Sequence, residues 1–100
     1  MKQYTDKDQT AKLIELGFPK PSPKYIHIGG VSYDSNHNYS IGELIEFLSI
    51  NGTRTRNIEF DGLEWFIDWD SDTSIYQTAS SELIDALFDM CVKLKEEGVI

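Results

Sequence analysis

The chain has 100 residues, of which 40% are hydrophobic and 26% are charged. This length and composition predict one folded domain over residues 1–100, with enough apolar side chains for a core without disulfides or metal ions. The 17 acidic residues outnumber the 9 basic ones, and the formal net charge is −8. Such an excess of carboxylates disfavours direct binding to the phosphates of DNA or RNA.

Targeting and membrane signals are not found in the sequence, which predicts a cytoplasmic protein. Residues 1–6 have none of the apolar character of a signal peptide. No run approaches the roughly 18 apolar residues of a membrane-spanning helix, so no membrane association is expected. Cys91 is the single cysteine, and it is expected to be a buried thiol in a reducing compartment.

The first predicted element is a short helix over residues 6–16. Thr5 and Asp8 have the spacing of a capping box, with aspartate in place of glutamate. Gly17 is expected to end this helix, with Phe18 as the apolar residue that follows a glycine cap. The three prolines of residues 19–23 then favour a stiff extended connector over a proline-rich ligand for a partner.

The middle of the chain contains a predicted short strand and a second helix. Residues 25–28 alternate as a strand does, and Gly29-Gly30 ends them, while residues 33–38 are polar and predict a loop. Ser40 and Glu43 form a full capping box, and an apolar stripe follows at helical spacing. We expect this short helix to end in a turn at Asn51-Gly52.

A β-hairpin is predicted around Asp61-Gly62, a two-residue turn signal between two alternating apolar runs. The second strand is expected to continue to Trp69, and residues 74–78 predict a third antiparallel strand. The apolar residues of both strands then share one face of the sheet. On the exposed face, Glu59 lies opposite Glu64, and the two carboxylates repel each other. The predicted pairs are Phe60 with Leu63, Ile58 with Trp65, and Arg56 with Ile67.

The clearest helical signal lies at residues 80–98. Ser80 or Thr78 is expected to cap the first turn, and Gly98 to follow the end. Its apolar arc is wider than usual, so we expect it to pack against both the sheet and another helix; the alternative is a homodimer contact along this helix. Its main face consists of Leu83, Ile84, Leu87, Phe88, Cys91 and Leu94.

This order of elements predicts an α+β fold with an antiparallel sheet. A hairpin or a three-stranded sheet packs against the long C-terminal helix, and two shorter helices complete the core. An isolated hairpin is marginal in water, so the long helix must cover the face of Ile58, Trp65 and Ile67. In this arrangement Trp65 belongs to the core. Trp69, nearer the strand end, is either core or an exposed anchor for a partner, and burial is the preferred interpretation.

Asp68, Asp70 and Asp72 are the sharpest candidates for metal ligands, because alternate carboxylates open a calcium-binding loop. Thr73 occupies the position where that loop needs glycine, and Ala79 the position of its bidentate glutamate. A solvated turn is therefore the preferred interpretation of these three residues.

The sequence gives little support for a zinc site or for a catalytic nucleophile. His27 and His37 have no cysteine or histidine partner at the spacing of a zinc site. Neither histidine lies near a serine or cysteine in the pattern of a catalytic site, and Cys91 is expected to be buried. No cofactor is predicted.

Three blocks of the sequence resemble a group of small uncharacterised proteins from anaerobic gut bacteria and their prophages or mobile elements. The blocks cover about a third of the chain, and each contains a capped helix boundary. Ser49 departs from the group, where proline often stands, and the resemblance implies no activity. The blocks are Tyr4-Thr5 with Leu13-Ile14-Glu15-Leu16-Gly17, then residues 39–48, then residues 82–90.

Two functions of different classes are compatible with these features. The first is a non-enzymatic accessory protein, of phage or mobile-element type, that binds another protein through its acidic surface and Trp69. One version of it imitates nucleic acid towards a basic enzyme, and requires carboxylates gathered on one face. The alternative is a small metal-dependent enzyme or metal-binding module that uses Asp68, Asp70 and Asp72 with a histidine.

Overall fold

The structure, a computed structural model, describes residues 1–22, 24–49, 54–70 and 74–100, with the backbone alone at 25–27, 31–36 and 54–56. Within these ranges the chain forms three helices, a two-stranded sheet and a three-stranded antiparallel sheet. The predicted α+β class and the C-terminal position of the longest helix are confirmed. The elements are α1 (Lys7–Glu15), β1 (Lys24–Ile28), β2 (Val31–Asn36), α2 (Ile41–Leu48), β3 (Arg54–Phe60), β4 (Trp65–Asp70), β5 (Ile75–Ser80) and α3 (Leu83–Glu96).

Helix α1 is capped by Asp6 instead of Thr5. The Asp6 carboxylate accepts a hydrogen bond from the Gln9 backbone N–H at 2.8 Å, and the Gln9 side-chain oxygen accepts one from the Asp6 N–H at 3.0 Å. Thr5 is buried, and its hydroxyl accepts a hydrogen bond from the Tyr39 N–H at 3.0 Å. The capping box predicted at Thr5 and Asp8 is therefore wrong, because a tertiary contact uses the Thr5 hydroxyl.

The end of α1 follows the prediction. Gly17 has φ +96°, a conformation that favours glycine, and the Phe18 N–H donates to the Leu13 carbonyl at 3.1 Å. This pattern is a Schellman motif, and it turns Phe18 into the core, where it is 8% exposed. Helix α3 ends in the same way at Gly98, whose φ is +72°.

Residues 33–36, predicted as part of a polar loop, belong to strand β2. Gly29 and Gly30 have φ +58° and +81°, as a two-residue hairpin turn requires, and Ile28 pairs with Val31 across that turn. The two glycines thus return the chain antiparallel to β1. The loop prediction was wrong because polar composition says nothing about the backbone pairing that this turn allows.

Helix α2 begins with the predicted capping box. The Glu43 N–H donates to the Ser40 hydroxyl at 3.2 Å, and the Ser40 N–H donates to the Glu43 carboxylate at 3.1 Å. The same carboxylate accepts the Ser22 backbone N–H at 3.0 Å and pairs with the Lys24 ammonium. Glu43 therefore holds Ser22 and Lys24 against the start of α2. The turn predicted at Asn51-Gly52 lies outside the described residues.

We expect Glu43→Gln to lower the free energy of unfolding by about 1.5–3 kcal/mol at pH 7, the range for hydrogen bonds to charged groups. Burial raises the pKa of Glu43, but hydrogen bonds from Lys24, Ser22 and Ser40 outweigh it and hold the pKa below its ordinary value of 4.5. A depressed folded-state pKa adds stability that is complete above the unfolded-state pKa and is lost as pH falls through the folded-state pKa. The difference from wild type should thus shrink below about pH 4.5.

Urea denaturation at pH 7 and near pH 3 measures both effects. Glu46→Gln is the matched control, because Glu46 is an exposed residue of the same helix and its substitution should change stability by less than about 0.5 kcal/mol. A Glu43→Gln difference of equal size at both pH values would contradict the ionic role of this carboxylate.

The β3–β4 hairpin has a register different from the predicted one. Phe60 pairs with Trp65 and Ile58 with Ile67, so residues 61–64 form a four-residue loop. The observed register differs from the predicted one by two residues, so the apolar residues of β3 and β4 still lie on one face of the sheet. Leu63 leaves the sheet, and Glu59 lies opposite Phe66 with no carboxylate across from it. The predicted pairs were wrong because Asp61 organises a longer turn.

The face of the sheet that α3 covers has its deepest point at β4. Ile67 and Trp69 are fully buried, whereas Ile58 and Trp65 are half-buried at the rim. The Trp69 indole N–H donates to the Leu48 carbonyl at 2.7 Å, at the end of α2. The preferred interpretation of Trp69 as a buried residue is confirmed, because Trp69 lies beneath the junction of α2 and α3. Trp65, predicted as core, packs only at the edge of the core, because it lies near the hairpin loop.

Helix α3 packs against β4, β5 and α2, as its wide apolar arc predicted. Its N-cap is Glu82, which makes no side-chain capping bond, so the predicted caps are wrong. The Thr78 hydroxyl donates to the Ala86 carbonyl at 2.8 Å and ties β5 to the helix instead. No helix in the described parts of the chain has the length and apolar character needed to cross a bilayer. The buried residues of α3 are Leu83, Ile84, Ala86, Leu87, Met90, Cys91 and Leu94.

Candidate functional site

The loop of the β3–β4 hairpin carries exposed large apolar side chains. Phe60 is 50% exposed and Leu63 is 81% exposed. The rings of Phe60 and Trp65 face each other across the hairpin with centroids 4.9 Å apart, which orients Phe60 beside the half-buried tryptophan. We call Phe60, Leu63 and Trp65 the hairpin tip.

Asp61 makes the turn that carries Leu63. Its carboxylate accepts the backbone N–H groups of Leu63 and Glu64, both at 2.8 Å, and its own N–H donates to the Glu64 carbonyl at 3.1 Å. The hydrogen bonds from Glu64 and Leu63 lower the pKa of Asp61 below its ordinary value of 3.8. Gly62 supplies the φ of +100° that the turn needs. The backbone of the turn is therefore ordered, and the side chain of Leu63 points into solvent.

The hairpin tip is surrounded by carboxylates. Glu59, Asp61 and Glu64 are all exposed, and residues 57–68 contain four acidic residues and no lysine or arginine. The tip itself contains neither a nucleophile nor a general base. An arrangement of this kind can supply apolar contact area within a field of negative potential, and these are the properties of a binding surface.

Two of the predicted metal ligands, Asp68 and Asp70, lie on β4. Asp68 and Asp70 are half-buried, and Asp68 accepts a hydrogen bond from the Gln77 side-chain amide at 2.8 Å. Asp72 lies outside the described residues. In the part of the chain that the structure describes, no group of three histidine, cysteine or carboxylate side chains is arranged to hold a metal ion.

The other predicted site residues do not form a site in the described part of the chain. Trp69 is fully buried, which agrees with the preferred interpretation of the sequence and leaves no exposed surface for the alternative, a contact with a partner. His37 is exposed, and the His27 side chain is outside the described residues. Cys91 is buried, and burial raises the pKa of its thiol to about 12, which leaves negligible thiolate at neutral pH.

Sequence reasoning missed Phe60 and Leu63 as surface residues because both were assigned to the core face. The predicted repulsion between Glu59 and Glu64 was a signal for a different register. A four-residue loop removes that repulsion, and an aspartate that starts the loop can bond the N–H groups two and three residues ahead. The pattern therefore contained the evidence for the observed turn.

Comparisons with known protein families, curated proteins and solved structures found no match for this chain. The resemblance to small proteins of gut bacteria and mobile elements stays a prediction.

Proposed function

We propose that this protein is a non-enzymatic accessory protein that binds another protein through the hairpin tip. The observation that carries the proposal is the exposure of Phe60 and Leu63 on an ordered turn. Large apolar groups exposed together on a rigid element are typical of binding anchors, because their burial against a partner requires little ordering. Trp65 supports the tip from the edge of the core and takes the anchoring role that was the alternative interpretation of Trp69.

The chemistry around the tip defines the partner. Glu59, Asp61 and Glu64 surround the apolar residues, so the complementary surface is an apolar pocket bordered by lysine and arginine. Attraction between opposite charges at the rim accelerates association, and dissolved salt screens this attraction. We therefore expect the rate of association to fall as ionic strength rises, with the apolar anchors supplying most of the affinity.

We do not propose imitation of nucleic acid as the form of this interaction. Exposed carboxylates are distributed over α1, α2, the hairpin and α3, for example at Glu15, Glu46, Glu59 and Asp89. A nucleic-acid mimic requires them gathered on one face. The acidic residues near the hairpin tip are instead the rim of a small apolar contact.

Replacing both anchors, in the variant Phe60→Ser/Leu63→Ser, is expected to weaken partner binding at least about 30-fold, the equivalent of ~2 kcal/mol at a binding hot spot. The immobilised protein is used to capture partners from a lysate of the native host, and mass spectrometry quantifies each captured protein. Calorimetry on the purified partner then measures the dissociation constant for both proteins. Circular dichroism and thermal melts verify that the variant is folded.

Ile28→Ser is the matched control, because Ile28 is 63% exposed and lies on the other hairpin. Partners that bind through the hairpin tip are retained by the control and lost by the double variant. If the double variant and the control capture the same proteins in equal amounts, the hairpin tip is not the binding site and the proposal fails.

A further inference from the structure

Strand β5 is an edge strand with an uncovered side. In the described part of the chain, β5 pairs with β4 and with no strand on its other side. Its exposed residues alternate along the strand: Ile75, which is 66% exposed, Gln77 and Ala79. The free edge of such a strand presents unpaired N–H and carbonyl groups, a template for another strand.

The two edges of the three-stranded sheet differ in chemistry. Strand β3 contains Arg54, Arg56 and Glu59 and has a register shift between Thr55 and Asn57. Charge and bulges are the means by which natural edge strands avoid pairing with other chains. Strand β5 has no charged residue, no proline and no register shift, in a chain with 26% charged residues.

Contacts with α3 and β4 fix strand β5 in place. The Thr78 hydroxyl donates to the Ala86 carbonyl of α3 at 2.8 Å, and the Tyr76 ring lies 6.1 Å from that of Trp69. The Lys93 ammonium lies over the Tyr76 ring at 5.8 Å from its centroid. These contacts fix the covered face of β5 beneath α3, so that the edge is ordered before any partner arrives.

We propose that a second copy of this chain pairs with β5 antiparallel to itself, giving a two-fold dimer with a continuous six-stranded sheet. The occupant is a second copy because β5 is complementary to itself. A two-fold axis at Gln77 places each Ile75 across from an Ala79 and covers the exposed isoleucine. A centre at Thr78 would leave Ile75 without an apolar neighbour. The pairing also brings no charges together across the shared edge, although each chain has a net charge of −8.

A cysteine at the two-fold position tests this geometry. In the variant Gln77→Cys, the dimer holds the two new thiols opposite each other, within reach of a disulfide. Asn57→Cys is the matched control: Asn57 and Gln77 are both exposed, and both pair with Asp68, one from each edge strand. The native Cys91 is buried and does not compete.

We expect Gln77→Cys to form a disulfide-linked dimer in oxidised glutathione at least about tenfold faster than Asn57→Cys, because preassociation raises the effective thiol concentration. Sedimentation of the wild-type protein should give about twice the mass of 11.4 kDa at high concentration. Adding Ala79→Lys to Gln77→Cys should reduce cross-linking, since lysine on an edge strand opposes pairing.

Equal cross-linking rates for the two cysteine variants, or a wild-type protein that stays monomeric at millimolar concentration, would overturn the proposal. The hairpin tip is a separate surface, and Phe60→Ser/Leu63→Ser should leave the cross-linking rate of Gln77→Cys unchanged. A loss of cross-linking in that background would assign self-association to the hairpin tip and equally overturn the β5 dimer.

Discussion

A chain that ends at Gln77 is expected to have no cooperative unfolding transition. The deletion removes α3, which supplies seven of the buried residues and covers Ile67 and Trp69 on β4. Without α3, both side chains become more exposed to solvent. The deletion also removes residues 78–80 of β5, so the remaining sheet has an incomplete third strand and no helix to cover its core. Circular dichroism during thermal and urea denaturation measures this result.

Two variants that keep all 100 residues test the packing of α3 separately from the effect of shortening the chain. Leu87→Ala removes a fully buried side chain and should lower the free energy of unfolding by about 2–5 kcal/mol. Glu96→Ala changes an exposed residue of the same helix and should alter it by less than about 0.5 kcal/mol. A sharp cooperative melt from the chain that ends at Gln77 would contradict the architecture described above.

Trp69→Ala is expected to lower the free energy of unfolding by about 3–5 kcal/mol, the range for deletion of a buried aromatic ring. Trp69 is fully buried and also donates its indole N–H to the Leu48 carbonyl. Trp69→Phe keeps most of the ring volume but leaves that carbonyl without its donor, for an expected loss of about 1–3 kcal/mol. Small single domains have a total stability of about 5–15 kcal/mol, so the alanine variant approaches the limit of folding.

Trp65→Phe is the matched control, because Trp65 is half-buried on the same strand and face. Urea denaturation followed by circular dichroism gives the free energy of unfolding for all three variants. We expect Trp69→Phe to be more destabilising than Trp65→Phe. The reverse order would contradict the assignment of Trp69 as the more deeply buried of the two tryptophans.

Local signals in the sequence were sufficient for the helices and for the fold class. The capping box of Ser40 and Glu43 and the glycine caps at Gly17 and Gly98 act within a few residues, so a linear pattern contains the relevant chemistry. Where a distant group competes for the same side chain, the local rule failed. Thr5 bonds the Tyr39 N–H, 34 residues away, and the cap moved to Asp6.

The candidate site was only partly predictable. Alternation in β3 and β4 identified the hairpin and its apolar face, because the side-chain period of a strand is two. That period does not distinguish registers that differ by two residues, and the turn alone decides which of Phe60, Leu63 and Trp65 leave the sheet. Asp61 fixes the turn, because its carboxylate accepts hydrogen bonds from two backbone N–H groups of the loop.

The sequence by itself determined the three helices, the α+β class and the identity of α3 as the covering helix, since periodicity, caps and glycines are properties of neighbouring residues. Tertiary structure alone decided how deeply Trp65 and Trp69 are buried. These outcomes depend on where α2 ends relative to β4 and on the length of one loop. Burial is a property of the assembled layers, and no local pattern in the chain specifies it.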